Sequence, residues 1–144
     1  MIAEFRGKYA FLSNFAECEV AFDGGTYLSA AAAFQAAKCE KAEDRQVFEH
    51  LALADAKRHG RRVNLRDGWD AMKDEVMLEI LRSKFSQPDM MRKLLETGQE
   101  KLVEGNTWHD NYWGVCRCER CAGQKGQNKL GKLLERLRNE MAAN

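Results

Sequence analysis

The sequence predicts an α+β fold, mainly α-helical, forming a compact single domain over residues 1–144 with a small N-terminal antiparallel β element. Three observations carry that expectation. After residue 30 the apolar residues recur at i, i+3, i+4 spacing over long stretches. Clear alternation is confined to a short stretch before residue 30. Neither βαβ alternation nor a glycine-rich phosphate fingerprint occurs.

Taken in order, Cys18-Glu19-Val20-Ala21-Phe22 alternates, Asp23-Gly24-Gly25 makes a tight turn, and Thr26-Tyr27-Leu28 resumes, which is a hairpin signal. Ser29 then caps a helix through the alanine-rich run from Ala30 to Lys38. Val47, Phe48, Leu51 and Ala54 share one face of a further helix. Trp69, Met72, Val76, Ile80 and Lys84 form a stripe, with Met77 and Leu81 beside it. Pro88 suits a first helical position, and Thr97-Gly98 closes that helix. Lys101 to Glu104 is expected as a short strand. The last helix carries Leu130, Leu133, Leu134, Leu137 and Met141 on one face, with Asn128 as its cap. Gly131 inside it costs about 1 kcal/mol against alanine, so it signals close approach of backbone or ligand.

Composition narrows the function classes. With 23 Lys+Arg against 22 Asp+Glu, no global charge favours non-specific nucleic-acid binding. Lys57, Arg58, His59, Arg61, Arg62 and Arg66 lie close together, as a local basic patch or as a solvated helix end. Met1-Ile2-Ala3-Glu4 starts no signal peptide, and no apolar run approaches the roughly 20 residues that span a bilayer. A cytoplasmic protein with no membrane partner is expected. Five cysteines, an odd number, argue against a disulfide framework in such a compartment.

Glu104 to Gly114 is the most unusual stretch. It holds Trp108, Trp113, Tyr112, Asp110, His109, Asn106 and Asn111 without helical or strand periodicity. Such a loop suits contact with something flat or cyclic. Near the N-terminus, Arg6, Tyr9, Phe11 and Leu12-Ser13-Asn14-Phe15 mix aromatics with small polar groups, as a ligand contact or as a turn in which Asn14 holds its own backbone. Phe34 and Lys38 share a helix face, as do Trp69 and Lys73. Lys38 is either a surface lysine or a partly buried one, and a desolvated lysine is a usable amine nucleophile. Cys116-x-Cys118-x-x-Cys121 has thiolate spacing for structural zinc, completed by Cys39 or His109, or else presents free thiols in a loop. Asn128 opens a helix, a natural phosphate site.

In order and together, these residues resemble the YbiA-like, or NADAR, family over essentially the whole chain. The resemblance rests on Phe5-Arg6, Phe11-Leu12-Ser13-Asn14-Phe15, Tyr27-x-Ser29 and Ala33-Phe34-Gln35-Ala36-x-Lys38. It continues through Gly60-Arg61, Leu65-Arg66, Trp69 with Lys73, Lys84-Phe85, and Leu95 with Thr97-Gly98. The C-terminal block matches best: Leu102-Val103-Glu104, Asn106-x-Trp108-x-Asp110, Trp113-Gly114 and Gly126-x-Asn128-x-Leu130-Gly131-Lys132-Leu133-Leu134.

The resemblance implies hydrolysis of N-glycosidic bonds to ribose, with no cofactor required. The implied substrate is ADP-ribose on guanine in DNA or RNA, or a phosphorylated ribosylamino-pyrimidine intermediate of riboflavin biosynthesis. A non-catalytic ADP-ribose-binding module and a small zinc-dependent interaction domain are the alternatives. Implied catalytic positions are Ala31, Lys38 and Asp110. Implied substrate contacts are Arg6, Ser13, Asn14, Phe15, Phe34, Gln35, Trp69, Lys73, Asn106, Trp108, Trp113, Gly114 and Asn128. In one respect the chain departs from the family. Ala31 stands where the pattern Ser-x-Glu-x-Ala-Phe/Tyr-Gln carries glutamate. Whether that change is natural or deliberate, it implies impaired turnover.

Overall fold

The computed structural model describes residues 1–144. By packing, the chain divides into two units, Asn14–Gln87 and Met1–Ser13 with Pro88–Asn144. The architecture is the expected α+β.

In the Asn14–Gln87 unit, β1 (Val20–Phe22) pairs antiparallel with β2 (Gly25–Tyr27), Val20 opposite Tyr27 and Phe22 opposite Gly25. The turn residues Asp23 and Gly24 have φ +47° and +83°. Positive φ at both is what a two-residue turn matched to strand twist requires. Next comes α1 (Ala30–Ala37), where Ser29 Oγ accepts from the Ala32 amide at 3.0 Å, so the expected cap is present.

The helix expected around Val47 to Ala54 is broken. α2 (Ala42–Gln46) tightens into a 3₁₀ turn at Val47–His50, Leu51 is extended, and α3 runs from Leu53 to Gly60. Phe48 alone anchors the turn, fully buried with its ring edge-on to His59 at 5.0 Å, while Val47 is exposed. One deep anchor replaces the continuous stripe that an unbroken helix would need. α4 (Trp69–Lys84) carries the expected stripe and also buries Leu78, because α1 and β1 both pack against it.

In the other unit, a 3₁₀ helix spans Gly7–Leu12, and α5 (Pro88–Glu96) ends at Gly98, φ +62°. α6 (Lys129–Ala142) packs on α5, and Arg138 Nη1 donates to Thr97 Oγ1 at 2.9 Å. The segment expected as a strand at Lys101–Glu104 makes only one ladder bridge, parallel to Ile2. Beyond that bridge, side chains take two of its amides, Glu135 Oε2 accepting from Leu102 and Asn128 Oδ1 from Glu104, while the Glu104 carbonyl accepts from the Val115 amide. The strand proper, β3 (Gly105–Asn106), lies one step later and pairs in parallel with β4 (Val115–Cys116). No helix is long and apolar enough to cross a membrane.

Candidate functional site

The alanine run makes α1 a helix sealed on almost every side. Ala30, Ala32, Ala33, Ala36 and Ala37 are at 0 % exposure. Ala31 keeps 6 % and Phe34 9 %, while Gln35 and Lys38 are half-buried. Residues 31, 34, 35 and 38 are spaced by three and four, so they share one face. That face alone of α1 reaches solvent, and it carries the expected lysine and the alanine that replaces glutamate. Burial pushes the Lys38 ammonium below the usual lysine range; Cys39 opposes the shift, and the positive charges of Arg61 and Lys73 add to it. A larger neutral fraction makes it a better nucleophile.

The surroundings of this face are aromatic and cationic. Phe34 tilts against Trp69 with ring centroids 5.1 Å apart. Lys57 Nζ lies 3.9 Å from the Phe15 ring centroid. Lys73 pairs with Asp70 at 3.1 Å. Arg66 caps the C-terminal end of α1, donating its amide to the Lys38 carbonyl and Nη1 to that of Ala37. Of the basic run, Arg58 pairs with Asp55, and Arg61 and Arg62 are exposed, so most of it is a solvated helix end. Two acceptors are buried without a partner, Asn14 Oδ1 and Gln35 Oε1. Asn14 does not hold its own backbone, as a plain turn would require: its Nδ2 faces Met77 Sδ at 3.5 Å, and its carbonyl accepts from the Ala31 amide. A Cβ at Gly60 would lie 3.2 Å from the Gln35 Cβ and nearer its mobile amide, so α3 packs closely on Gln35. Lys84, fully buried at the end of α4, is pushed down to about 8 by that burial.

The 104–114 loop, in the other unit, is organised from within by two side chains. Asn106, 4 % exposed, donates to the Asp110 carbonyl at 2.8 Å and accepts from the Trp108 and Asp110 amides. Asp110 Oδ1 accepts from the Tyr112 and Trp113 amides at 3.0 and 2.9 Å. Gly114 allows Glu104 to approach, since a Cβ would meet the Glu104 carbonyl at 2.1 Å. The result is an aromatic surface: Trp108 is 52 % exposed, and Trp113 packs edge-on to Tyr112 at 4.8 Å. Of the remaining expected contacts, Arg6 is exposed, and its carbonyl starts the 3₁₀ helix that Ser13 closes.

Asn128 is a correction. Its side chain does not cap α6; φ is +49°, and no side-chain cap bond forms. Instead Nδ2 donates to the Leu102 carbonyl at 2.9 Å and Oδ1 accepts from the Glu104 amide at 3.0 Å. Both ends of the carboxamide are thus engaged by backbone. The Asn128, Lys129 and Leu130 amides donate to the carbonyls of Gly114, Tyr112 and Trp113. The amide donors that open α6 therefore hold the loop rather than a phosphate. Gly131 admits backbone, not ligand: a Cβ there would lie 2.0 Å from the Leu102 carbonyl oxygen.

His109, Cys116, Cys118 and Cys121 form one cluster, with all four ligand atoms within 4.8 Å of one another. His109, not Cys39, is the fourth member. Burial works against ionising Cys116, but hydrogen bonds involving Cys118, His109 and Cys121 outweigh it and bring the thiol down to about 6. Burial and the other two thiols push Cys121 up to about 11. Sequence reasoning named Lys57 only in the basic run and Asn111 only within the loop, and it missed the Lys57 contact with Phe15 and the Asn111 Oδ1 that accepts from the Cys116 amide at 2.9 Å, since neither contact carries a spacing signal. A cleft lined by Tyr9, Phe11, Lys93 and Thr97 takes in two residues of the N-terminal aromatic group, Tyr9 and Phe11, but none of the implied catalytic or substrate-contact positions.

A buried alanine-rich helix with one open lysine face, together with an asparagine-organised tryptophan loop, places the chain among known proteins. It belongs to the NADAR family, whose domain profile matches residues 3–142. It is 38% identical over 140 residues to N-glycosidase YbiA of Escherichia coli (strain K12), covering 93% of this chain and 82% of that protein. It is 30% identical over 141 residues to a riboflavin biosynthesis protein of Vibrio vulnificus (strain YJ016), covering 93% of this chain and 36% of that one. The NMR structure of the E. coli protein YbiA superposes with a TM-score of 0.83 at 34% identity, covering 99% of this chain and 86% of that one.

Proposed function

We propose that this chain is a hydrolase of N-glycosyl bonds to ribose, with ADP-ribose attached to guanine in DNA or RNA as its favoured substrate. The observation that carries the reading is the single open face of α1, where a lysine of lowered pKa lies two turns from position 31. The relatives' name, N-glycosidase, agrees with it. Arg61 and Lys73, whose positive charges act on Lys38, give its region a character suited to a diphosphate. Five free thiols fit a cytoplasmic setting.

An N-glycoside to an exocyclic amine can open its ribose ring. The neutral Lys38 amine then adds to C1′, the C1′–N bond to guanine breaks, and the departing nitrogen takes a proton. The resulting protonated Schiff base adds water at C1′, Lys38 leaves, and the ring closes to free ADP-ribose. A carboxylate at position 31, near the start of α1, would carry the proton to the leaving nitrogen; alanine cannot, so turnover in this chain is impaired. In its own unit, the exposed Trp108 is an aromatic face of the kind that stacks on a base. Asp110, with Oδ1 held by two amides, positions that loop. A second reading, hydrolysis of a phosphorylated ribosylamino-pyrimidine, is favoured by the name of the Vibrio relative.

The deciding experiment assays this chain and its Ala31→Glu variant side by side on ADP-ribosylated guanosine and on a riboflavin intermediate. Borohydride quenches of the same reactions are read by mass spectrometry. The variant is expected to gain about 10²–10⁴-fold in turnover, the usual worth of acid–base catalysis. An adduct on Lys38 is also expected. No gain would remove position 31 from catalysis, and no adduct would remove the Schiff base. ADP-ribose binding by calorimetry without hydrolysis by either protein would make the chain a binding module.

A further inference from the structure

We propose that His109, Cys116, Cys118 and Cys121 form a closed structural zinc centre that pins the tryptophan loop. The proposal stands independently of the glycosidase reading. His109 Nδ1 lies 3.2, 3.5 and 3.9 Å from Cys118, Cys121 and Cys116 Sγ. Cys116 and Cys118 Sγ are 3.3 Å apart. A tetrahedral zinc with its usual bonds to sulfur and nitrogen needs N···S edges of about 3.5 Å and S···S edges of about 3.8 Å. The three nitrogen–sulfur distances scatter around the first value, the Cys116–Cys118 pair must open slightly to reach the second, and the remaining sulfur edges lie within 4.8 Å.

Three further features support a metal over a chance cluster of thiols. All three sulfurs surround the same ring nitrogen, so Nδ1 is free to ligate when the proton sits on Nε2. His109 holds φ +70°, an uncommon left-handed conformation for a non-glycine residue that histidine is among the types to adopt. The Asn106 clamp on the Asp110 amide and carbonyl fixes the backbone next to it. Finally, the ligands come from three weak local structures: an irregular loop, the two-residue strand β4 and the three-residue 3₁₀ turn Glu119–Cys121. β4 and the 3₁₀ turn are too short to hold a register by themselves, whereas the loop is organised by the Asn106 and Asp110 bonds. On binding, each thiol releases its proton to solvent and becomes a thiolate ligand. Four protein ligands fill the tetrahedron, leaving no open position for water or substrate, so the ion holds structure rather than performing chemistry. It fixes His109 between Trp108 and Asp110 and thereby sets the exposed Trp108.

The test uses the full chain expressed and purified without chelator, with metal measured by mass spectrometry. About one zinc per chain is expected in the unmodified protein and in Cys39→Ser, and far less in Cys118→Ser and His109→Ala. Because a variant that loses metal can also unfold, cobalt is added to the unmodified apoprotein as a second readout. Thiolate-to-cobalt charge-transfer bands with a tetrahedral ligand-field spectrum are expected, and zinc should abolish them. Three results would overturn the proposal: metal far below stoichiometry after reduction and reloading, full metal retained by Cys118→Ser, or a disulfide among the three cysteines of freshly purified protein.

Discussion

Gly131→Ala separates helix propensity from tertiary packing, because the two predict opposite signs. Residue 131 is inside α6, where alanine is favoured over glycine by about 1 kcal/mol. In this fold the added Cβ would lie 2.0 Å from the Leu102 carbonyl oxygen. An unstrained carbon–oxygen contact is about 3.3 Å, so the backbone of residue 102 must recede by roughly 1.3 Å. It cannot do so freely, since it is held by Asn128 Nδ2 at 2.9 Å, by Glu135 at 2.9 Å, and by the bridge to Ile2. Overpacking costs about 1–3 kcal/mol. Stranding the buried Asn128 donor costs about 1–3 kcal/mol more. Set against the propensity gain of about 1 kcal/mol, the net loss is roughly 1–5 kcal/mol, which at about 4 °C per kcal/mol lowers Tm by about 4–20 °C. Urea and thermal denaturation followed by far-UV circular dichroism measure it. A variant as stable as the parent, or more so, would refute the reasoning and show that α6 and the 102–104 segment can separate at little cost.

Asn128→Ala is expected to lose about 2–4 kcal/mol by denaturation, because it strands the Leu102 carbonyl and the Glu104 amide, with Asn128→Asp no better since a carboxylate would face a carbonyl; an unchanged Tm with a raised KM would make Asn128 a ligand contact instead. For Lys84, the folded value of about 8 lies below the ordinary 10.5, so between those values the unfolded state binds more protons and stability rises with pH. The rise is about 3 kcal/mol from pH 8 to 10.5, fully absent below pH 8, and urea titrations should show that slope flattened in Lys84→Met; equal slopes would mean the ammonium is not desolvated. Ala31→Glu and the metal measurement complete the set.

Elements specified by neighbours within about four residues were legible in the sequence. The Asp23-Gly24 turn, the Ser29 cap, Pro88 at the start of α5 and Gly98 at its end each depend on a local φ requirement or a local hydrogen bond, and each is where residue type placed it. The α1 face was legible for the same reason, since spacings of three and four fix which side chains share a side. Local rules could not say which face of α1 stayed open, because that depends on what α3 and α4 cover.

Long-range decisions went otherwise. Asn128 is a common capping residue by type, yet its carboxamide bonds to residues 24 and 26 positions away, and the α6 amides went to the loop carbonyls. Cys39 and His109 were equal candidates to complete the thiol cluster until β4 and the 106–114 loop brought His109 to the three sulfurs. The stripe from Val47 to Ala54 was broken because one buried phenylalanine satisfied the core there. The sequence by itself determined the α+β class, the turns and caps named above, and the family. Only the tertiary structure decided which polar groups remain available for a ligand. A side chain's donors and acceptors are few, and backbone brought close by the fold uses them first.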